Sequence, residues 1–280
     1  SVNALPTVTV GATTTVVCAG ITTTLNAGGA SSYLWNTGPT SNTIAVSPTA
    51  NLNYTVTGTA AATGCSNIAV QTISVNALPP VATNATSTVI CVGNTSTITA
   101  TGASSYLWNT GPTSNTIAVS PGSNINYTVM GTSAATGCTN IAVQSISVNV
   151  LPTVTITPSS TVICLGNSAT LTAGGASGYV WNAGPTSQNF VVSPVGTSNY
   201  TVTGTSAATG CSNTAAQNVS VNVLPTVTIT PSGTVICAGN SVTLTAGGAS
   251  SYVWNTGPTN QNLVVSPLIN TNYTVTGTSA

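Results

Sequence analysis

Not one of the 280 residues is Asp, Glu, Lys, Arg or His. An ordinary soluble domain is about a quarter charged, so the composition lies far outside the usual range. General acid–base catalysis draws on His, carboxylates or Lys, and all are missing. A Ser or Cys nucleophile here would have no side-chain base to take its proton. The chain therefore reads as a non-enzyme. Nucleic-acid binding needs Lys and Arg against the phosphates, and polybasic membrane docking needs the same charges. Calcium, magnesium and most zinc sites need carboxylates or imidazoles, and the seven cysteines form no Cys-x-x-Cys pair. No metal and no cofactor is expected. There is also no run of about 18 apolar residues, so no helix is expected to insert into a membrane. At 41% hydrophobic residues the chain can still build a core, which argues against wholesale disorder.

What is present is a repeat. Cys18, Cys91, Cys164 and Cys237 stand 73 residues apart, as do Trp35, Trp108, Trp181 and Trp254. Tyr54, Tyr127, Tyr200 and Tyr273 keep the same step, and so do the Leu-Pro pairs beginning at Leu5, Leu78, Leu151 and Leu224. A second cysteine series runs through Cys65, Cys138 and Cys211. No insertion breaks the register, which points to autonomous structural units in tandem. The expected divisions are residues 1–76, 77–149, 150–222 and 223–280, with 1–5 the tail of a preceding strand. The fourth unit stops before its second Cys and last strand. A mature product, or a piece of something longer, is the expectation.

Each unit reads as β. In the fourth, Thr226–Thr230, Ser241–Ala246, Ser251–Asn255, Gln261–Ser266 and Thr271–Gly277 are short β-branched or aromatic runs between Gly, Pro, Asn and Ser. The third adds a closing strand at Gln217–Val223, with Val219, Val221 and Val223 alternating with polar residues. Alternation turns one face of each strand inward. About seven strands per unit make a small antiparallel sandwich, so the fold class is all-β, a tandem array of immunoglobulin-like sandwiches. The fourth unit lacks its closing strand. Its edge is expected to be covered by more of the same chain or by a neighbour's strand.

The Trp of the third strand and the Tyr-x-Val of the penultimate strand resemble the immunoglobulin fold. In that likeness Leu25 and Val56 stand where immunoglobulin domains carry their paired cysteines, with Trp35 packed over them and Tyr54 as the corner tyrosine. The whole unit also resembles the Ig-like/PKD-like tandem repeats of Bacteroidota secreted and surface proteins. The motifs are Leu-Pro-x-Val-x-Ile from Leu224, Cys-x-Gly-x-Ser from Cys237, Tyr-x-Trp-x-x-Gly from Tyr252, Asn-Tyr-Thr-Val-x-Gly-Thr from Asn272, and Gly210-Cys211. The resemblance implies an extracellular or cell-surface location. Members of that family normally carry surface charge, and this chain departs from them in having none.

In a secreted chain the cysteines are candidates for disulfides. Pairing within units gives Cys18–Cys65, Cys91–Cys138 and Cys164–Cys211, leaving Cys237 over. Strand topology offers a second scheme. The turn after the first strand and the hairpin before the last normally lie at opposite ends of a sandwich. End-to-end stacking would then favour Cys18–Cys138 and Cys91–Cys211, joining neighbours. Both schemes stand at this point. The tryptophans Trp35, Trp108, Trp181 and Trp254, with Tyr54, Tyr127, Tyr200 and Tyr273, are read as core rather than as sugar-stacking platforms.

The functional expectation is a structural subunit of an extracellular self-assembling filament whose partner is itself. The alternative is the stalk of a bacterial surface adhesin with its binding head elsewhere. Neutrality removes the repulsion that keeps most proteins apart. It also removes any side chain that titrates between about pH 3 and pH 8. Circular dichroism and sedimentation are therefore expected to be the same at pH 4 and pH 7. Unfolding or dissociation at pH 4 contradicts this.

Overall fold

The computed structural model describes residues 2–182 and 184–279. Every regular element among them is a β-strand, and no helix among them is long and apolar enough to cross a membrane. The chain divides into two compact units, Ser1–Val150 and Leu151–Ala280, and each contains two of the sequence repeats.

Repeat 1 contains β1 (Thr9–Ala12), β2 (Val16–Cys18), β3 (Thr23–Gly28), β4 (Ser32–Trp35), β5 (Thr43–Val46), β6 (Leu52–Thr59) and β7 (Ser66–Asn76). One sheet has the order β1-β3-β5 and the other β2-β7-β6-β4. The pairings are antiparallel except for β2 against β7, which is parallel. The first strand of an immunoglobulin-like sandwich is thus split between the two sheets. A buried hydroxyl holds the crossing point: Thr23 Oγ1 donates to the Thr14 carbonyl at 2.9 Å and accepts from the Thr14 N–H at 3.3 Å. The short strand β2, its parallel partner and the crossing are not legible in the repeat pattern, which shows a single first strand followed by a cysteine turn.

The core follows from alternation. Leu25 and Ile44 from the first sheet meet Trp35, Tyr54, Val56 and Ile73 from the second, all buried in one cluster. Leu25 and Val56 are fully buried, with Trp35 in the same cluster. Burying a side chain of this kind contributes roughly 1.5–3 kcal/mol. The Trp35 indole keeps its N–H bonded to the Ser41 carbonyl at 2.8 Å. The hydroxyl that closes a loop belongs to Tyr33, which accepts from Ala30 N–H and donates to Ala30 O. Gly58 allows the close approach of β6 to the first strand: a Cβ there would run into Val8 and Ala30.

Repeat 2 reproduces this order as β8 (Ala82–Ala85), β9 (Val89–Cys91), β10 (Ser96–Thr101), β11 (Ser105–Trp108), β12 (Thr116–Val119), β13 (Ile125–Thr132) and β14 (Thr139–Asn149). Its sheets are β8-β10-β12 and β9-β14-β13-β11. Trp108 and Tyr127 are buried in its core with Ile146. Repeat 3 runs β15 (Thr155–Pro158), β16 (Val162–Cys164), β17 (Ala169–Gly174), β18 (Gly178–Trp181), β19 (Asn189–Val192), β20 (Ser198–Thr205) and β21 (Ser212–Asn222), with the same two sheets. Trp181 is buried, and Tyr200 is half-buried, edge-on to Phe190 at 5.8 Å. The closing strand β21 covers more than the alternation of valines indicates. It begins at Ser212, and Val223 lies beyond it, 77% exposed, because the strand ends at Asn222.

Repeat 4 has a complete first sheet, β22 (Thr228–Pro231), β23 (Val242–Gly247) and β25 (Asn262–Val265) in the order β22-β23-β25. Its second sheet has two strands, β24 (Ser251–Trp254) and β26 (Val275–Thr278). Trp254 is buried, while Tyr273, Val275 and Ile236 are only partly buried. The corresponding Val56, Val129 and Val202 are fully buried. The last strand is expected over Thr271–Gly277, yet it spans Val275–Thr278, since no closing strand lies along residues 271–274 to pair with them. Among the described residues, nothing in this chain occupies that place.

Candidate inter-repeat junction

The geometry that matters lies at the two ends of each closing strand. The parallel register sets Cys18 opposite Asn76, the last residue of β7, and Ala19 N–H donates to Asn76 O at 2.9 Å. Val17, buried just before it, anchors β2 on the sheet. Cys18 therefore sits at the trailing end of repeat 1, where the chain leaves for repeat 2. The second cysteine series sits at the other end. Cys138 directly precedes β14, in a tight turn where Ser133 N–H donates to Cys138 O at 2.9 Å and Gly137 takes φ +70. Two residues on, Asn140 donates from Nδ2 to the Pro79 carbonyl at 3.0 Å. That bond ties the Leu78-Pro79 linker to the leading end of repeat 2. Asn67 does the same for Pro6, and Asn213 for Pro152.

These placements decide the first pairing. Cys18 is bonded to Cys138, with a Cα–Cα distance of 5.6 Å and a sequence separation of 120. The within-unit partner Cys65 is excluded by distance. It directly precedes the 11-residue strand β7, whose far end lies beside Cys18. At ~3.3 Å per residue the strand spans roughly 35 Å, whereas a disulfide needs Cα atoms within about 7 Å. Cys91–Cys138 fails with it, because Cys138 is taken. Cys91 and Cys211 are each disulfide-bonded. That leaves Cys164–Cys211 unformed as well: Cys164 is an exposed free thiol, Cys237 is exposed and free, and Cys65 is half-buried and free. Cys138 itself is fully buried.

The aromatic residues do not join this junction. Trp35, Tyr54, Trp108, Tyr127, Trp181 and Trp254 are buried inside their sandwiches, and their ring faces are not open to a ligand. The signal for the junction was the second cysteine step. What repeat spacing does not carry is the parallel β2–β7 pairing, which moves the first cysteine of each repeat to its trailing end.

No protein-family model matches the chain, and no curated protein matches it. Several solved structures do. The eight N-terminal Ig domains of Down syndrome cell adhesion molecule isoform 1.30.30 are 12% identical, with 89% of this chain and 40% of that chain covered and a TM-score of 0.32. Three N-terminal domains of the Highly Immunogenic Outer Capsid protein of bacteriophage RB49 are 17% identical, with coverage of 78% and 99% and a TM-score of 0.28. Invasin, a bacterial integrin-binding protein, is 14% identical, with coverage of 98% and 76% and a TM-score of 0.31. The chain spans 40% of the length of the first of these.

The disulfide closes a loop of 120 residues, which by loop entropy stabilises the pair of repeats by up to about 5 kcal/mol. Cys138→Ser is therefore expected to lower the denaturation midpoint and to leave Cys18 reactive to maleimide. In the unaltered chain, a non-reducing peptide map is expected to give Cys18 linked to Cys138. A Cys18–Cys65 peptide contradicts the assignment.

Proposed function

We propose that the chain is a structural segment of an extracellular fibre that assembles by association of its own copies. The observation that carries this reading is the Cys18–Cys138 bond between successive repeats. A disulfide inside one domain protects that domain. One between the trailing end of a repeat and the leading end of the next makes the connection itself covalent. Tension applied along the array then passes through the sulfur bridge instead of unravelling residues 19–137. Such bonds persist in oxidising surroundings, which supports a secreted or surface location.

Association between copies is supported by the outer face of the four-stranded sheet. Leu34, Thr57 and Ile68 lie side by side across β4, β6 and β7, and Val70 follows on the same face. Leu107, Met130, Ile141 and Val143 form the equivalent row in repeat 2, and Ile141 is 61% exposed. Exposed apolar rows of this kind mark interaction surfaces. Here no charged residue interrupts or surrounds them, so a second copy meets no electrostatic penalty on approach. Repeat 3 carries Thr214 and Ala216 in place of the Ile and Val, which confines the surface to residues 1–150.

The stalk of a surface adhesin would use the same covalent junctions without association. The two readings part on one experiment. Sedimentation and negative-stain electron microscopy of residues 1–280 are expected to show concentration-dependent polymers that withstand 1 M salt. Ile68→Lys with Ile141→Lys is expected to reduce these to single rods with unchanged circular dichroism. Single rods from the unaltered protein at every concentration overturn the fibre reading in favour of the stalk.

A further inference from the structure

One position on the outer face of the second sheet sets repeat 2 apart. On the tyrosine strand it is Thr57, Thr203 and Thr276 in repeats 1, 3 and 4, and in repeat 2 it is Met130, the single methionine of the chain. Met130 points outward between Val129 and Gly131, both buried. The register sets it beside Leu107 on β11 and Ile141 on β14. The row Leu107–Met130–Ile141 is therefore apolar across three strands. Thr57 interrupts the same row in repeat 1, and Thr203 and Thr214 interrupt it in repeat 3.

Polar groups border this row. Ser105, Thr132 and Thr139 form the next row on one side. On the other, beyond Val143, Ser145 Oγ donates to Asn126 Oδ1 at 2.8 Å. An apolar centre inside a polar rim is the anatomy of a protein–protein contact. A second copy of the chain is the occupant that suits it. An ordinary protein is about a quarter charged. Such a partner would bring charges against a face with none to pair them, and desolvating an unpaired charge is costly. A copy brings no charge at all.

Met130 is also the one member of the row whose chemistry can change in place. Its side chain is 37% exposed in the single chain, open to a dissolved oxidant, and a second copy on the row would cover it. Hydrogen peroxide gives one oxygen to the sulfur. The O–O bond breaks, an S–O bond forms, the thioether loses two electrons and the peroxide leaves as water. The sulfoxide is polar and accepts hydrogen bonds. Water supplies donors in the single chain, whereas Leu107 and Ile141 have none to offer in a contact.

We propose that Met130 is an oxidative modification site, with a peroxide as its substrate, that controls the association of copies through the repeat 2 sheet face. It rests on the fibre reading and adds a control to it. With the thioether, the row joins copies; with the sulfoxide, it releases them. Linkage makes the effect reciprocal: whatever oxidation takes from association, association takes from oxidation.

For the test, the intact 1–280 chain has its free thiols blocked with N-ethylmaleimide and is treated with hydrogen peroxide until its mass shows one added oxygen. With a single methionine and all four tryptophans buried, that oxygen is expected at Met130, and a peptide map checks it. By sedimentation, the concentration at half-assembly is expected to rise on the order of tenfold, with circular dichroism unchanged. Met130→Gln is expected to raise it without peroxide. Whatever the midpoint of Met130→Leu, peroxide is expected not to move it. Untreated polymers are expected to take up oxygen several-fold more slowly than the same chain diluted below its midpoint. An unmoved midpoint after full oxidation, an equal shift in Met130→Leu, or equal uptake by polymer and dilute chain each overturns the proposal and leaves the fibre reading standing. Single rods from the untreated chain at every concentration overturn both.

Discussion

The parallel pairing of β2 with β7 is the constraint on which the rest depends. Three residues, Val16, Val17 and Cys18, leave the first sheet and lie along Ser74, Val75 and Asn76 of the second. This short excursion closes the side of the sandwich, with Val17 buried beneath it. It also carries Cys18 to the end of the repeat where the chain departs. Cys65, at the start of the same closing strand, is held at the other end, beside the linker that Asn67 fixes. One element thereby builds the core and places the two cysteines of the repeat at its opposite ends.

A chain without charge holds such a structure by burial and by complete hydrogen bonding. Among the described residues no buried side-chain polar atom lacks a partner. Where a polar side chain is buried, a backbone group meets it, as Ser96 Oγ donates to Ser87 O at 2.7 Å and the Trp108 indole to Ser114 O at 2.9 Å. None of these bonds depends on pH, and salt does not screen them as it screens ion pairs. Solubility lacks the usual protection of net charge, so exposed rows such as Leu107, Met130 and Ile141 have more consequence here than on an ordinary surface.

Much of this was legible in the sequence. The 73-residue step, the β character of each unit and the all-β sandwich class follow from spacing and alternation. The cysteine partners stood between two schemes: the repeat step suits pairing within units, whereas strand topology offers Cys18–Cys138, and the bond formed is the latter. The strand that decides this, Val16–Cys18, is three residues long, too short for alternation to reveal. The bonds of the Tyr33 hydroxyl to Ala30 depend on a loop path that no local pattern encodes. The closing strand runs Ser212–Asn222 where alternation predicts Gln217–Val223, because its first half faces the core with Asn213 and Ala215, not with large apolar residues.

The central claim is that successive repeats are joined by a load-bearing covalent path. Stretching single molecules of residues 1–280 by their termini, before and after reduction, tests it most directly. The bond between Cys18 and Cys138 hides a loop with a sequence separation of 120 from the applied force. At ~3.5 Å per residue that loop represents roughly 400 Å of contour length. The account predicts that reduction lengthens the fully unfolded chain by at least about this amount, on the same scale of extension per residue. Equal contour lengths with and without reductant would contradict it.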